Sequence, residues 1–183
     1  YHAGPSGTPG YDCGGYWGSA LSDYQNDGSP AYWLRSQLKT VGYYVGDTNC
    51  DVSLPIDSVN LYGLVEQEGT RDESIKELGR ELSWEIYNRY SRFGVAVDVV
   101  GHSMGGLIAR AMLTGTQQHL ALWAPYVFVE DVSTLSTPHG GSAAALLCQA
   151  FWTTTQCNEL KPGSETLVWM DDNPQSDTGT DWT

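Results

Sequence analysis

Gly101-His102-Ser103-Met104-Gly105 fits the pattern Gly-x-Ser-x-Gly, which sets a serine hydroxyl to attack a carbonyl carbon. A hydroxyl is a weak nucleophile until a base takes its proton. Its attack then creates an oxyanion that backbone N–H groups must hold. The glycines suit that task, because Gly101 and Gly105 are expected to remove Cβ atoms that would clash at a cramped bend. The bare pentapeptide arises by chance in roughly 6% of chains of this length, so its context decides whether it means chemistry.

The context is a strand, a tight turn and a helix. Val95, Val97, Val99 and Val100 are β-branched and nearly continuous, the pattern of a strand buried on both faces of a parallel sheet. Leu107, Ile108, Ala111 and Met112 follow Ser103 at helical spacing. The helix amino terminus under the serine would offer free N–H groups and the positive end of the helix dipole to a developing oxyanion.

The other elements must position that turn. Residues 71–93 read as the clearest helix, with Asp72 as its cap and Ile75, Leu78, Leu82, Ile86 and Tyr90 as a buried stripe. Arg71, Lys76, Arg80 and Arg89 read as solvated charges on its other sides. Gly94 ends it and leads into the valine strand. Residues 126–135 (Val127, Val129 and Val132, with Phe128 between) are a further strand, and 142–151 and 162–170 are short helices. Earlier, 1–18 reads as Gly/Pro-rich loop, 26–29 as a turn, 31–40 as a helix, 41–46 as a short strand and 47–70 as polar loop. Only one strand is expected after Ser103, and 171–183 reads as a polar tail. Alternating strands and helices predict an α/β fold with a parallel sheet joined by right-handed crossovers, and no linker divides the 183 residues into separate domains.

Composition narrows the function. The chain is 40% hydrophobic and 17% charged, a globular balance, with net charge −13 from nine Lys+Arg against 22 Asp+Glu. An acidic surface argues against nucleic acid and against an anionic membrane face. No apolar run reaches the ~20 residues of a transmembrane helix, and no basic, apolar signal-type segment opens the chain. A neutral or apolar substrate is the easier match. Of the four cysteines, nearness pairs Cys13 with Cys50 and Cys148 with Cys157, although four cysteines permit three connectivities. Paired cysteines and few lysines fit a secreted, extracellular protein; four free thiols in a cytosolic one is the alternative. There is no Cys-x-x-Cys, and Asp171-Asp172 lacks the alternating ligand spacing of a calcium loop, so no metal and no cofactor are expected.

Gly101-His102-Ser103-Met104-Gly105-Gly106, the valine strand before it and Ser136-Thr137-Pro138-His139-Gly140-Gly141 one strand later together resemble the α/β-hydrolase superfamily. Within it, the chain is similar to secreted actinobacterial lipases and esterases. The resemblance implies an α/β-hydrolase fold, a predominantly parallel sheet flanked by helices, incomplete at both ends. It makes Ser103 the catalytic nucleophile and the N–H of Met104 one oxyanion donor. His2-Ala3-Gly4 resembles the His-Gly segment closing the oxyanion strand, with Ala3 in place of a glycine, so the second donor is the N–H of Ala3 or Gly4. In this fold the acid and the histidine follow the serine, each after a later strand. His119 reads as a surface residue and His139 as a structural one, so His139 is a disfavoured base. The resemblance therefore implies a partial domain lacking acid and histidine. The alternative is a self-contained hydrolase using His139 with Asp171, Asp172, Asp177 or Asp181.

The expected activity is hydrolysis of carboxylic esters, of triacylglycerol type or a related lipid ester, through an acyl-enzyme on Ser103. The apolar stretch 143–152 lies where this superfamily inserts lids and acyl pockets, or else is a helix packed in the core. Rival readings on the same fold are an amidase or acyltransferase, and a catalytically inert binding protein.

Overall fold

Ser74-Ile75-Lys76-Glu77 begins the best-specified helix of the chain. In the computed structural model, which describes residues 2–3, 9–26, 33–55, 69–143, 154–173 and 180–183, this helix α2 runs Ile75–Arg89. The Ser74 side chain accepts from the Glu77 N–H while the Glu77 side chain accepts from the Ser74 N–H, a reciprocal capping box. The cap is thus Ser74 rather than Asp72, whose carboxylate instead accepts the Thr155 N–H. Ile75, Leu78, Leu82 and Ile86 form the buried stripe. The presumed solvated cations are not simply solvated: Arg89 pairs with Glu85, and the Lys76 ammonium sits 4.1 Å over the Trp169 ring. A 3₁₀ turn, Ser91–Phe93, follows, and Gly94 closes it at φ 75°, a left-handed position that favours glycine.

The chain then enters β5 (Val97–His102) and α3 (Met104–Gln117), and crosses back into β6 (Val129–Leu135). Strands β5, β6 and β7 (Asp181–Trp182) form a parallel sheet in that order, with Val99 opposite Val132 and His102 opposite Leu135. α3 fills the space between α2 and the sheet, and Leu107, Ala109, Ala111 and Met112 are completely buried. The two helices approach closely: a Cβ on Gly79 would lie 2.8 Å from the Ala111 Cβ.

Two expectations about this sheet change. β5 is not buried on both faces. Val97 and Val99 are half-buried while Asp98, Val100 and Val95 are exposed, because among the described residues β5 hydrogen-bonds only to β6. Among the described residues, two strands rather than one follow Ser103. β7 is two residues long, too short for periodicity to reveal, and the half-buried Trp182 packs it onto the core. β6 also begins later than expected, and Tyr126 and Phe128 are exposed beside it.

The amino-terminal third departs most from expectation. β1 (His2–Ala3) and β2 (Pro9–Gly10) form an antiparallel pair. Helix α1 (Cys13–Asn26) then starts inside the segment read as loop. Its start is fixed from outside the helix: the Asp12 carboxylate accepts the Gly15 N–H, and Cys13 donates its N–H to the Thr48 carbonyl. The expected helix over 31–40 is absent from its described part, residues 33–40. There Gln37 closes a single turn with Leu34, and Leu34 is exposed. β3 (Val41–Gly42) pairs in parallel with β4 (Val52–Ser53), inside the stretch read as polar loop. β3 ends early because the Asp47 carboxylate takes the N–H groups of Tyr43 and Tyr44 into a turn. α4 (Thr155–Glu159) was not expected; α5 (Glu165–Asp171) was, and Ser164 caps it. The turn at 26–29 beyond Asn26 and the helix or lid over 144–152 lie outside the described residues. No described helix is long and apolar enough to cross a membrane.

Candidate active site

Ser103 stands alone between the last residue of β5 and the first of α3, with φ 54° and ψ −127°. For a residue with a Cβ this is a costly backbone conformation, of order 1–3 kcal/mol, that the surroundings must enforce. They do so through close approach of strand and helix. The Ser103 N–H donates to the Leu135 carbonyl at 2.9 Å, and its carbonyl accepts the Gly106 N–H at 3.2 Å. A Cβ on Gly101 would lie 2.6 Å from both the Cα and the nitrogen of Gly106, and one on Gly106 would lie 2.1 Å from the Thr137 Oγ1. Gly105, by contrast, faces open space with nothing within 4 Å. The crossing therefore requires Gly101 and Gly106, not the Gly101 and Gly105 that the pentapeptide brings to mind.

The result is an exposed serine at the carboxyl end of a parallel strand and the amino terminus of a buried helix. The Met104 N–H, the first of the helix, has no acceptor within the helix. The Met104 side chain is buried, which pins the start of the helix. Of the other expected oxyanion donors, Ala3 lies in β1, which pairs with β2 rather than with the β5–β6–β7 sheet. Gly4 lies outside the described residues.

His102 precedes the serine, and its partner comes from far away in sequence. The Tyr16 hydroxyl on α1 lies 2.6 Å from His102 Nδ1. Tyr16 belongs to an aromatic group in which Tyr11 meets it edge-on at 5.9 Å and Trp17 at 5.4 Å, while Tyr11 stacks on Tyr44 at 6.5 Å. A Cys13–Cys50 disulfide holds α1 to the loop after β3, and a Cβ on Gly42 would lie 2.7 Å from its Cys50 sulfur. Asp12, at the foot of α1, is held below the usual carboxylate range by the hydrogen bond from Asn49, and secondarily by the Gly15 N–H. Burial pushes the Tyr43 phenol well above its ordinary value, aided by nearby Tyr11, Asp47 and Tyr16. Cys157 is also disulfide-bonded; Cys148 lies outside the described residues. Sequence reasoning missed Tyr16 entirely, and no local signal marks a contact spanning 86 residues.

His139 is placed elsewhere. Its Nε2 meets the Thr134 hydroxyl at 3.0 Å, and its Nδ1 and carbonyl lie 3.4 and 3.3 Å from Arg110 Nη1. Arg110, nearly buried on α3, also donates to the Asp171 carboxylate at 2.8 Å. Arg110, His139, Gly140, Asp171 and Trp182 line an open cleft of about 360 Å³. Burial lowers the His139 pKa from its ordinary value, the Arg110 charge lowers it further, and Asp171 opposes both. Among the candidate carboxylates, Asp171 hydrogen-bonds Arg110 rather than the imidazole, Asp172 caps α5, Asp181 sits opposite Asp131 in the sheet, and Asp177 lies outside the described residues. His119 is exposed in the loop after α3. No hydrogen bond among the described residues joins a histidine to Ser103.

The chain is similar to known proteins over the part that builds this turn. A family model described as "PGAP1-like alpha/beta domain" matches residues 64–161, just over half of the chain. A GPI inositol-deacylase of Aspergillus oryzae is 33% identical over 79 residues, 43% of this chain but only 7% of that protein's length. Among solved structures, the Bacillus licheniformis lipase BlEst2 in its mature form matches with a TM-score of 0.47 and 24% identity, over 61% of this chain and 47% of that one. Its propeptide form matches equally, over 26% of that longer chain. The elements built around Ser103 fall within the matched residues 64–161, and the chain belongs to the PGAP1-like alpha/beta domain family of the α/β-hydrolase superfamily.

Proposed function

We propose that this chain carries the nucleophile of a carboxylic ester hydrolase and that Ser103 is that nucleophile. The observation behind the reading is the serine's conformation: an exposed hydroxyl at φ 54° between a strand and a buried helix, where two glycines let the elements cross. Strained backbone of this kind clusters at active sites and ligand clamps. In the reaction, the Ser103 hydroxyl attacks the ester carbonyl and gives its proton to a base, a role for which no described histidine is hydrogen-bonded to Ser103. The N–H of Met104 holds the oxyanion, a contribution of roughly 3–4 kcal/mol for one well-placed donor. The alcohol leaves, and water releases the acid from the acyl-enzyme. The name of the Aspergillus relative describes deacylation, the same class of bond cleavage, and supports a lipid ester as substrate. The disulfides fit an exported protein, since cytosolic thiols are kept reduced.

One observation favours a second reading, a binding protein on the same fold: both ring nitrogens of His139 are already engaged, by Arg110 and Thr134. A fluorophosphonate probe separates the two. Stoichiometric labelling at Ser103 of the folded protein supports the hydrolase; a folded protein that stays unlabelled supports the binding protein.

A further inference from the structure

The contact between Tyr16 and His102 is not needed to form the turn at Ser103, which Gly101, Gly106 and the two backbone hydrogen bonds already shape. Yet a hydroxyl 86 residues away in sequence comes to 2.6 Å from His102 Nδ1, with the two rings 5.8 Å apart. The tyrosine is half exposed, so burial of its ring does not account for the placement. Its helix is held in place instead. Cys13, one turn earlier, is bonded to Cys50; the Asp12 carboxylate receives the Gly15 N–H and the Asn49 amide; and Tyr11 gives its N–H to Asp47. A covalently anchored helix start thus delivers one hydroxyl to the residue immediately before the serine.

We propose that Tyr16 is a positioning residue of the Ser103 site, acting through His102. This rests on the reading of Ser103 as the nucleophile. The hydrogen bond from Tyr16 holds the His102 imidazole in one rotamer and so steadies the residue directly before Ser103, in a turn whose backbone is already shaped. The serine Oγ and the Met104 N–H then keep their mutual geometry as the oxyanion forms. Small displacements of an attacking group cost rate steeply, whereas substrate affinity depends on contacts elsewhere. Losing one neutral hydrogen bond corresponds to a factor of roughly three to ten. The loss should fall on kcat rather than on KM.

The test is a double-substitution cycle on p-nitrophenyl butyrate, with ¹⁵N spectra of the imidazoles. Tyr16→Phe keeps the ring and removes the hydroxyl; as its site is half exposed, folding should survive, which circular dichroism checks. The expected result is a kcat lowered roughly threefold to tenfold with KM within about twofold, and a displaced His102 Nδ1 resonance. In a His102→Leu background Tyr16→Phe should have no further effect, whereas His102→Asn, which keeps an acceptor, should preserve sensitivity to it. An unchanged kcat, an unmoved Nδ1 resonance, or additive losses in the cycle would each overturn the proposal. Hydrolysis that survives Ser103→Ala, or is absent from the wild type, overturns the nucleophile reading and this proposal with it. The Nδ1 shift in Tyr16→Phe would then still report the contact itself, so the two failures are told apart.

Discussion

Gly101 and Gly105 occupy equivalent places in the Gly-x-Ser-x-Gly pattern, yet replacing each with alanine should have opposite consequences. A Cβ on Gly101 would lie 2.6 Å from two backbone atoms of Gly106 and 2.8 Å from the carbonyl carbon of Gly105. Comfortable contacts between such atoms begin near about 3.5 Å, so the overlap is close to an ångström. The obstruction is backbone and cannot turn aside. Relief requires β5 and α3 to separate, in a part of the core where Leu107, Ala111 and Met112 are fully buried. Forcing extra volume into a packed interior costs about 1–3 kcal/mol, and this backbone clash belongs at the upper end. For a chain of this size that lowers the thermal midpoint by roughly 5–10 °C. Gly105→Ala meets nothing within 4 Å. It gains helix propensity, worth up to about 1 kcal/mol and less in the first turn. Thermal and urea unfolding followed by circular dichroism compare the pair directly. Equal effects of the two substitutions, or a stable Gly101→Ala, would refute the close crossing of strand and helix.

Removing the Cys13–Cys50 disulfide with a double alanine substitution should destabilise by about 4 kcal/mol, the loop-closure value for a separation of 37 residues, measured as a lower urea midpoint. Ser103→Gly should raise the thermal midpoint while removing the hydroxyl, because glycine adopts φ 54° without strain. For His139, burial and Arg110 lower the folded pKa, so the unfolded chain binds a proton that the folded chain refuses. The stability of the neutral imidazole is then complete above the ordinary value of 6.5 and is lost as pH falls through it toward the lower folded pKa. Urea unfolding at pH 7 and pH 5 should therefore show the wild type losing ground to His139→Gln at the lower pH; a constant difference would contradict the environment assigned to His139.

The part of this molecule that could be read from sequence is the part governed by local rules. The stripe of Ile75, Leu78, Leu82 and Ile86, the valines leading to Gly101 and the apolar helix after Ser103 repeat at periods that local geometry imposes. Reading failed where distant residues decide. α1 begins among glycines because Asp12, Thr48 and Cys50 define its first turn, and none of those partners except Asp12 is local. β7 exists because Trp182 finds a place against β6, which two residues of pattern cannot announce. The site divides the same way. Ser103 was visible as a motif, and the second glycine of the crossing was misassigned to Gly105 because only the fold shows that Gly106 faces Thr137. Tyr16 was invisible, since its relation to His102 exists only after α1 has docked.

Mass spectrometry of the folded chain after reaction with a fluorophosphonate, beside Ser103→Ala, decides whether Ser103 is the nucleophile. One adduct per chain is expected, located on Ser103 and absent from the variant. No adduct on the folded chain, an adduct on another residue, or an equally modified Ser103→Ala protein would contradict that role.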